Sequence, residues 1–213
     1  MKRLQTMWLC LMATFMSLSL SAQNAETTAS TEGGMVFTQG TFHEALAKAK
    51  SENKMLFLDC YTDWCGPCKW MTKNVMTNPE VGDLYNATFV SYKLNMEKGE
   101  GPDIAKKYAV KAYPTLLYIN GDGQVVERIV GAMAVKPFLE AGQRVKDGLV
   151  PIDELEAVYA AGGYDRQWLY EYLMRIGNAG LQNQDAMDEF KKGMVGEAML
   201  EENNWNIFER FFR

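Results

Sequence analysis

Two cysteines separated by two residues form the densest chemical motif of the sequence. Cys65 and Cys68 lie in the segment WCGPCK, which directly follows an apolar run of strand length and has the pattern of a helix start. We expect Cys65 at the first helical turn, where backbone N–H groups lack intrahelical partners and favour a thiolate. Cys68 is one turn further on, so its sulfur lies beside that of Cys65. The pair can therefore close a small disulfide and reopen it.

The two cysteines have different expected roles. Cys65, which we expect nearer the surface, is the candidate attacking thiol, and the more enclosed Cys68 is the candidate resolving thiol. Gly66 and Pro67 shape the turn, and Pro67 fits the first helical turn because it has no N–H to leave unpaired. The sequence therefore predicts a dithiol–disulfide cycle whose only redox group is the cysteine pair itself.

Three other interpretations of the motif remain open from the residues alone. A structural disulfide would close a loop of only two residues, which stabilises little. A zinc site needs about four ligands, and only Cys60 and His43 remain to complete one. A domain that kept the motif and lost the activity is the third. We favour the redox interpretation, with no metal, because the motif lies between a buried strand and a helix.

Composition narrows the class of protein further. The chain has 213 residues, of which 47% are hydrophobic and 23% charged, and its formal net charge is −5. This is the composition of a globular protein that can bury a sizeable core. The acidic balance argues against binding to DNA or RNA, which requires a basic surface. Four cysteines are too few for a disulfide scaffold, and one histidine makes sites built on several imidazoles unexpected.

The beginning of the chain has the pattern of a targeting segment. Lys2 and Arg3 precede an uncharged apolar run over 7–20, and small residues follow it. This layout predicts a secretory signal peptide over residues 1–22. The run is short for a membrane-spanning helix, although an uncleaved anchor is the alternative. The one cysteine in the run has the wrong context for a lipoprotein, so we expect an exported, periplasmic protein.

Hydrophobic periodicity predicts an α/β region followed by a helical one. Residues 23–35 are small and polar, which indicates a flexible linker. The turn Asn120–Gly123 indicates an antiparallel hairpin, whereas the earlier β-α-β order indicates parallel strands. Helices must then cover both faces of a mixed central sheet. The predicted elements are helices 42–51, 65–75, 102–108 and 135–146, a short helix opening at Asn78-Pro79, and strands 54–61, 88–94, 115–119 and 125–130.

The region from Pro151 onward shows no strand pattern. It holds twelve acidic and six basic residues, and we expect helices at 151–161, 165–176, 184–200 and 205–212. The last helix carries four aromatic residues that need a surface, which are Trp205, Phe208, Phe211 and Phe212. Either they pack back on the domain or they await a partner. The second possibility gives an alternative function, in which this helical extension (151–213) binds a partner and the α/β domain is a scaffold.

The residues around the motif resemble thioredoxin. LFLDCYTDWCGPCK is similar to the active-site strand and helix of that family, YKLNME to the strand that carries a lysine, and YAVKAYPTLLYINGDGQVVERIVGA to the C-terminal half. The resemblance covers residues 36–148. It implies a thioredoxin fold and protein-disulfide oxidoreductase activity.

The resemblance also assigns roles outside the motif. Asp59 falls on the family's buried aspartate, whose pKa burial would raise so that it could take the proton of Cys68. Lys93 falls on the lysine that faces this aspartate. Cys60, beside Asp59 on the strand, should point to the opposite face and serve as a small buried apolar residue.

A second group of matched residues would bind substrate. Pro114 falls on the family's cis-proline, Tyr113 before it would offer its backbone to an extended substrate segment, and Gly131 would complete the groove. Trp64 would shield the disulfide. The implied substrate-binding residues are thus Trp64, Gly66, Pro67, Tyr113, Pro114 and Gly131.

One departure from thioredoxin bears on the partners. The proline that usually kinks the active-site helix is missing from the run Lys69–Val75. The run DWC together with TNPEVGDLYNATFV instead resembles the exported branch of the family, which includes reductase modules of periplasmic electron-relay proteins. This implies exported protein substrates with disulfides or thiols, and a membrane electron-relay protein as reductant. We expect reduction or isomerisation rather than oxidation.

Overall fold

The computed structural model describes residues 33–192 and 202–212. The predicted signal peptide (1–22) and all but the last three residues of the predicted linker (23–35) lie outside the described residues. The end of the predicted helix 184–200 lies outside them as well. Within the part of the chain that is described, no helix is both long and apolar enough to cross a membrane.

The elements of the α/β region begin and end within one residue of their predicted bounds. The helices of the described chain are Phe42–Ser51 (α1), Gly66–Asn74 (α2), Pro79–Thr88 (α3), Gly101–Lys107 (α4), Val135–Asp147 (α5), Leu155–Ala161 (α6), Arg166–Asn178 (α7), Gln184–Lys192 (α8) and Glu202–Phe212 (α9). A 3₁₀ turn, Ile152–Glu154, precedes α6. The strands are Met55–Tyr61 (β1), Phe89–Asn95 (β2), Thr115–Ile119 (β3) and Val125–Val130 (β4).

The strands form one mixed sheet in the order β2-β1-β3-β4. β1 is parallel to β2 and antiparallel to β3, and β3 is antiparallel to β4. The predicted parallel crossover and the predicted hairpin are therefore both confirmed. β1 is an inner strand, and its five middle residues are all buried.

Local sequence signals explain where several helices start. The Thr41 side chain accepts a hydrogen bond from the N–H of Glu44, and the Glu44 side chain accepts one from the N–H of Thr41, which makes a capping box. Asn78 caps α3, with Pro79 in its first turn. Asp165 caps α7 by accepting from the Trp168 N–H at 2.8 Å. These caps fix the entry of the chain into three of the helices.

The sheet separates two layers of core. The first core layer lies against α1 and α4 and includes Phe42, Leu56, Leu58, Ile104 and Leu117. The second core layer lies against α2, α3 and α5 and includes Phe57, Met71, Tyr85, Leu116 and Phe138. Helices thus cover both faces of the sheet, as the periodicity predicts.

The helical extension continues the first core layer. Leu155, Leu169 and Leu173 belong to the same buried cluster as the sheet residues of that layer. In α9, Ile207 is buried, and Phe211 packs against the same cluster, so the last helix packs back on the protein. Trp205 is 53% exposed, and the side chains of Phe208 and Phe212 are not among those described.

A buried ion pair fixes the extension beside the edge strand β4. Arg175 of α7 lies 2.8 Å from the Glu127 carboxylate, and the two side chains are 11% and 3% exposed. Arg175 also donates a hydrogen bond to the Val126 carbonyl at 3.0 Å. Burial raises the pKa of Glu127, and the positive charge of Arg175 opposes that rise. Arg175 of the extension is therefore the main group that stabilises the charged form of this buried carboxylate.

Replacing this arginine should destabilise the whole protein. We expect Arg175→Met to lower the free energy of unfolding by about 3–5 kcal/mol, because it leaves the Glu127 carboxylate buried without its cation. Urea denaturation at neutral pH measures the change. The double variant Glu127→Gln/Arg175→Met should recover part of the loss. Lys192→Met, on the exposed side of α8, should stay within about 0.5 kcal/mol of the unmodified protein; an equally small effect of Arg175→Met would refute the role of the pair.

Candidate active site

Cys65 and Cys68 are joined in a disulfide at the start of α2. Their Cα atoms are 5.3 Å apart. Cys65 is the N-cap residue, and its sulfur accepts a hydrogen bond from the Cys68 N–H at 3.1 Å. A sulfur held by a free N–H at a helix N-terminus is stabilised as a thiolate when the disulfide opens. The geometry therefore supports Cys65 as the more acidic thiol of the pair.

The predicted difference in exposure between the two cysteines is wrong for this oxidised state. Cys65 is 2% exposed and Cys68 is 4% exposed, so neither lies nearer the surface. The N–H of Cys65 donates a hydrogen bond to the Thr62 carbonyl. This hydrogen bond closes a turn after β1 in which Cys65 is buried. The assignment of Cys65 as attacking thiol therefore depends on its place at the helix start.

Asp59 and Lys93 come together through the register of β1 and β2. They are direct partners in this parallel pair, so both side chains lie on the same face of the sheet. Asp59 is 1% exposed, and its Oδ2 lies 3.0 Å from the Lys93 ammonium. Neither oxygen of Asp59 has a well-aligned hydrogen-bond donor among the described residues, so the contact is ionic. Burial raises the pKa of Asp59, and Lys93 lowers it to a smaller extent.

Lys93 also connects Asp59 to the active-site helix. Its ammonium donates to Thr72 Oγ1 at 2.6 Å, and Thr72 Oγ1 in turn donates to the Cys68 carbonyl at 3.0 Å. The ammonium lies 5.0 Å from the centre of the Tyr61 ring, within the range of a cation–π contact. Thr72 was not among the predicted residues. Its spacing of four from Cys68, which puts both on one side of a helix, is the signal that could have found it.

A cavity of about 330 Å³ opens beside Cys68 and Lys93. Its lining is rich in lysine and threonine, and consists of Tyr61, Thr62, Asp63, Cys68, Lys69, Thr72, Lys73, Thr77 and Lys93. The cavity gives solvent an approach to the resolving cysteine and to the partner of Asp59. Protons can therefore be exchanged on this side of the disulfide.

The predicted substrate-binding residues lie together around the end of the sheet. The Tyr113–Pro114 peptide is cis. The Pro114 carbonyl accepts a hydrogen bond from the Gly131 N–H at 2.8 Å, and Gly131 has φ +99°, a conformation that favours glycine. Tyr113 packs edge-to-face against Trp64, with ring centres 5.9 Å apart. Gly66 and Pro67 are exposed beside Cys65 in the first turn of α2.

Glu97 is a further residue at this site that sequence reasoning missed. The Trp64 indole N–H lies 2.9 Å and 3.0 Å from the two oxygens of the Glu97 carboxylate. Trp64 itself is 66% exposed, so this contact holds a ring that is otherwise largely in solvent. Glu97 is the second residue after β2, and the carboxyl ends of parallel neighbouring strands meet at the same end of a sheet. That position is the signal that could have found it.

The third cysteine of the described chain belongs to the core. Cys60 is a free thiol with no exposed surface, and it lies in the first core layer. Burial raises the pKa of Cys60 well above its ordinary range, so the thiol is poorly reactive. Among the described residues, no three His, Cys, Asp or Glu side chains are grouped so that they could hold a metal ion.

Comparison with known proteins agrees with this geometry. A family model described as a thioredoxin-like domain matches residues 42–146. Thioredoxin 2 of Chlorobaculum tepidum is 31% identical over 100 residues, which are 46% of this chain and 84% of that protein. The thiol:disulfide interchange protein DsbD of Pseudomonas fluorescens is 28% identical over 106 residues, which are 48% of this chain and 18% of that protein. The chain spans less than two thirds of several curated relatives, including 51% of thioredoxin-T from Drosophila melanogaster.

A solved structure is also similar. The solution structure of a candidate disulphide-isomerase from Bacteroides thetaiotaomicron is 50% identical, with a TM-score of 0.47, over 51% of this chain and 89% of that chain.

Fold and site together define the class of this protein. The mixed sheet flanked by helices is the thioredoxin fold. The disulfide at the start of α2, between two cysteines separated by two residues, is the site of the protein-disulfide oxidoreductases. The chain belongs to the thioredoxin-like family. The described residues after α5 add further helices to that fold.

The buried charge of Asp59 should reduce stability at high pH. Burial holds its pKa in the folded protein above the ordinary value of 3.8. The folded state thus binds the proton more tightly than the unfolded state, and stability falls as pH rises from about 4 through the folded pKa. We expect Asp59→Asn to raise the free energy of unfolding of the oxidised protein by about 1–3 kcal/mol at pH 8.

Urea denaturation at about pH 4 and pH 8 measures this effect. The gain from Asp59→Asn should shrink toward the lower pH, where the carboxyl becomes increasingly protonated in both states. Asp83→Asn, on the exposed side of α3, removes the same charge from the surface and should change stability by less than about 0.5 kcal/mol. A gain of equal size at both pH values would exclude titration of Asp59 as its cause.

Proposed function

We propose that the chain is an exported thiol–disulfide oxidoreductase that reduces or isomerises disulfides of other exported proteins. The observation that carries this proposal is the Cys65–Cys68 disulfide, with the Cys65 sulfur at the N-terminus of α2 and bonded to the Cys68 N–H at 3.1 Å. The two sulfurs form a disulfide without other groups, so the pair can take up or release two electrons by itself. Similarity to thioredoxins and to a thiol:disulfide interchange protein supports the same chemistry.

The first step is attack by Cys65 on a substrate disulfide. In the reduced protein, the Cys65 thiolate attacks one sulfur of the substrate, so a Cys65–substrate disulfide forms and the other substrate sulfur leaves as a thiolate. The free N–H groups at the N-terminus of α2 stabilise the thiolate form of the attacking group. The released substrate thiolate takes a proton from solvent.

The second step is resolution by Cys68. Asp59, whose pKa is raised by burial, accepts the proton of the Cys68 thiol, and the resulting thiolate attacks the Cys65 sulfur. The Cys65–Cys68 disulfide forms, and the second substrate sulfur leaves and is protonated. Two electrons have passed from the dithiol to the substrate. Lys93 is a positioning residue here, because it contacts both Asp59 and Thr72 of the active-site helix.

Substrate binds along the rim formed by the loops at this end of the sheet. Tyr113 offers backbone N–H and C=O groups to an extended segment, as in β-strand addition. Trp64 and the exposed turn of Gly66 and Pro67 flank the disulfide, and Gly131, held against Pro114, forms the other side. The contacts are mostly backbone and apolar, so the groove accepts many sequences.

Turnover requires a reductant outside this chain. A dithiol protein of a membrane electron relay would re-reduce the Cys65–Cys68 disulfide by the same exchange in reverse. The Gly-Pro pair of the motif and the buried Asp59 resemble reducing members of the family. The reduction potential decides the direction, and a value of about −120 mV would make the protein an oxidant instead.

Removing the resolving thiol should trap substrates. In Cys68→Ala, Cys65 can still attack, but nothing releases the mixed disulfide, so exported proteins should accumulate as covalent adducts. Non-reducing electrophoresis and mass spectrometry of the purified variant identify them. Cys65→Ser should form no adduct and should lose disulfide reduction of insulin by at least about a hundredfold.

Cys60→Ala is the matched control for these variants. It removes a thiol that is buried in the first core layer, so adduct formation should stay at the level of the unmodified protein. If Cys68→Ala captured nothing while deletion of residues 151–213 removed the biological effect, the alternative would hold, with the extension as the functional part and the α/β domain as scaffold.

Export should be visible in the mature protein. The proposed division of the chain is a signal peptide over 1–22, a linker over 23–35, the thioredoxin-like domain over 36–148 and the helical extension over 151–213. We expect protein isolated from the periplasm to have lost residues 1–21 or 1–22, which intact-mass measurement detects. Replacing Leu9 in the apolar run by Arg should keep the full-length chain in the cytoplasm; unchanged processing of that variant would contradict the signal peptide.

A further inference from the structure

An aromatic corner with a carboxylate at its edge lies next to the disulfide. Trp64 directly precedes Cys65, and its ring meets that of Tyr113 at an interplanar angle of 77°. The Glu97 carboxylate is held at the indole N–H edge by contacts of 2.9 Å and 3.0 Å. Trp64 is 66% exposed and Glu97 is exposed, so both can meet a substrate.

The charge of Glu97 is available at this corner. Asp63, the nearest acidic residue in sequence to the motif, is paired with Lys98 at 2.5 Å. Glu97, by contrast, takes part in no salt bridge with any described residue, and its partner Trp64 is neutral. Burial and, after it, the nearby negative charge of Glu97 raise the pKa of Tyr113. The neighbouring Lys98 also interacts with the Glu97 charge, but its ammonium forms its salt bridge with Asp63. The corner therefore combines an exposed aromatic face with a negative charge that no salt bridge among the described residues neutralises.

We propose that Trp64, Tyr113 and Glu97 form a subsite for a lysine or arginine side chain next to the reactive cysteine of the substrate. This inference rests on the proposed function and names the substrates that the same site prefers. A cation over the indole face is attracted by the ring, and the carboxylate at the ring edge adds a Coulomb attraction. Both attractions act on a substrate side chain that lies beside Cys65.

The opposite side of the motif carries the opposite charge. The cavity beside Cys68 is lined by Lys69, Lys73 and Lys93 and by one acidic residue, Asp63, which is paired with Lys98; Trp64 and Glu97 are not part of this lining. A basic substrate side chain is thus repelled from the Cys68 side and attracted to the Trp64 side. The distribution of charge favours one orientation of a basic segment across the disulfide.

Rates with charged peptide disulfides test the subsite. The substrates are three blocked peptides that differ only in the residue next to one cysteine, which is Lys, Gln or Glu, with that cysteine in a disulfide with 2-mercaptoethanol. The rate with the reduced, full-length protein is divided by the rate of the same peptide with dithiothreitol, so that differences in intrinsic reactivity cancel. We expect the Lys peptide to react about three- to tenfold faster than the Glu peptide at low salt, and less so at high salt.

Variants at position 97 show whether the carboxylate is the cause. Glu97→Gln keeps an acceptor for the Trp64 N–H, and it should reduce the Lys-to-Glu rate ratio to within about twofold. Glu97→Lys should invert the ratio. Glu52→Gln is the control, because it removes the same charge near the start of β1, at the far end of this seven-residue strand from the site. This variant should keep the ratio of the unmodified protein.

Two outcomes would overturn the subsite, and they have different meanings. If Glu97→Gln and Glu97→Lys kept the ratio of the unmodified protein, Glu97 would not select the substrate even though the Gln peptide was reduced. If no peptide, including the Gln peptide, reacted faster than with dithiothreitol, the proposed function would fail and the subsite with it. Because each ratio is taken within one variant, a general change in the reactivity of Cys65 does not affect the result.

Discussion

Burial of the Asp59 carboxylate in the central strand is the constraint on which the site depends. β1 is covered on both faces, so a charge placed there is costly unless a cation reaches it. Lys93 can do so because β1 and β2 are parallel and the two residues are direct partners in the ladder. The same ammonium contacts Thr72, so the compensation of one buried charge also fixes α2, and with it the disulfide, against the sheet.

Strand direction explains why segments that are distant in sequence meet at one end of the sheet. β1 and the parallel β2 both end there, which places Trp64 and Glu97 close together. The antiparallel β3 begins at the same end of the sheet, directly after Pro114, and β4 ends there at Val130, opposite Thr115. A single hydrogen bond from the Gly131 N–H to the Pro114 carbonyl then joins the last two segments. The candidate site is therefore a consequence of mixed topology, with each strand contributing one end.

Patterns within a few residues were predictable, and partners across long separations were not. The strand-motif-helix order, the hairpin and every element of the α/β region follow from periodicity and turn residues. Asp59 with Lys93 could be predicted only through resemblance, since nothing in either segment indicates the register. The contacts of Glu97 with Trp64 and of Arg175 with Glu127 depend on how loops and helices pack, for which the sequence has no periodic signal. The equal burial of Cys65 and Cys68 likewise depends on the turn from Thr62.

The extension changes what the sheet can do with a partner. An edge strand with unpaired backbone groups is a template for strand addition. β4 is the outermost strand on its side, but Arg175 of α7 already donates to its Val126 carbonyl and holds the neighbouring Glu127. If a foreign strand paired with β4, the Glu127 carboxylate would remain buried without its cation and the backbone contact would break. The ion pair thus opposes strand addition at β4. This agrees with the proposal that a substrate backbone pairs at the loop of Tyr113, beside the disulfide, rather than along β4.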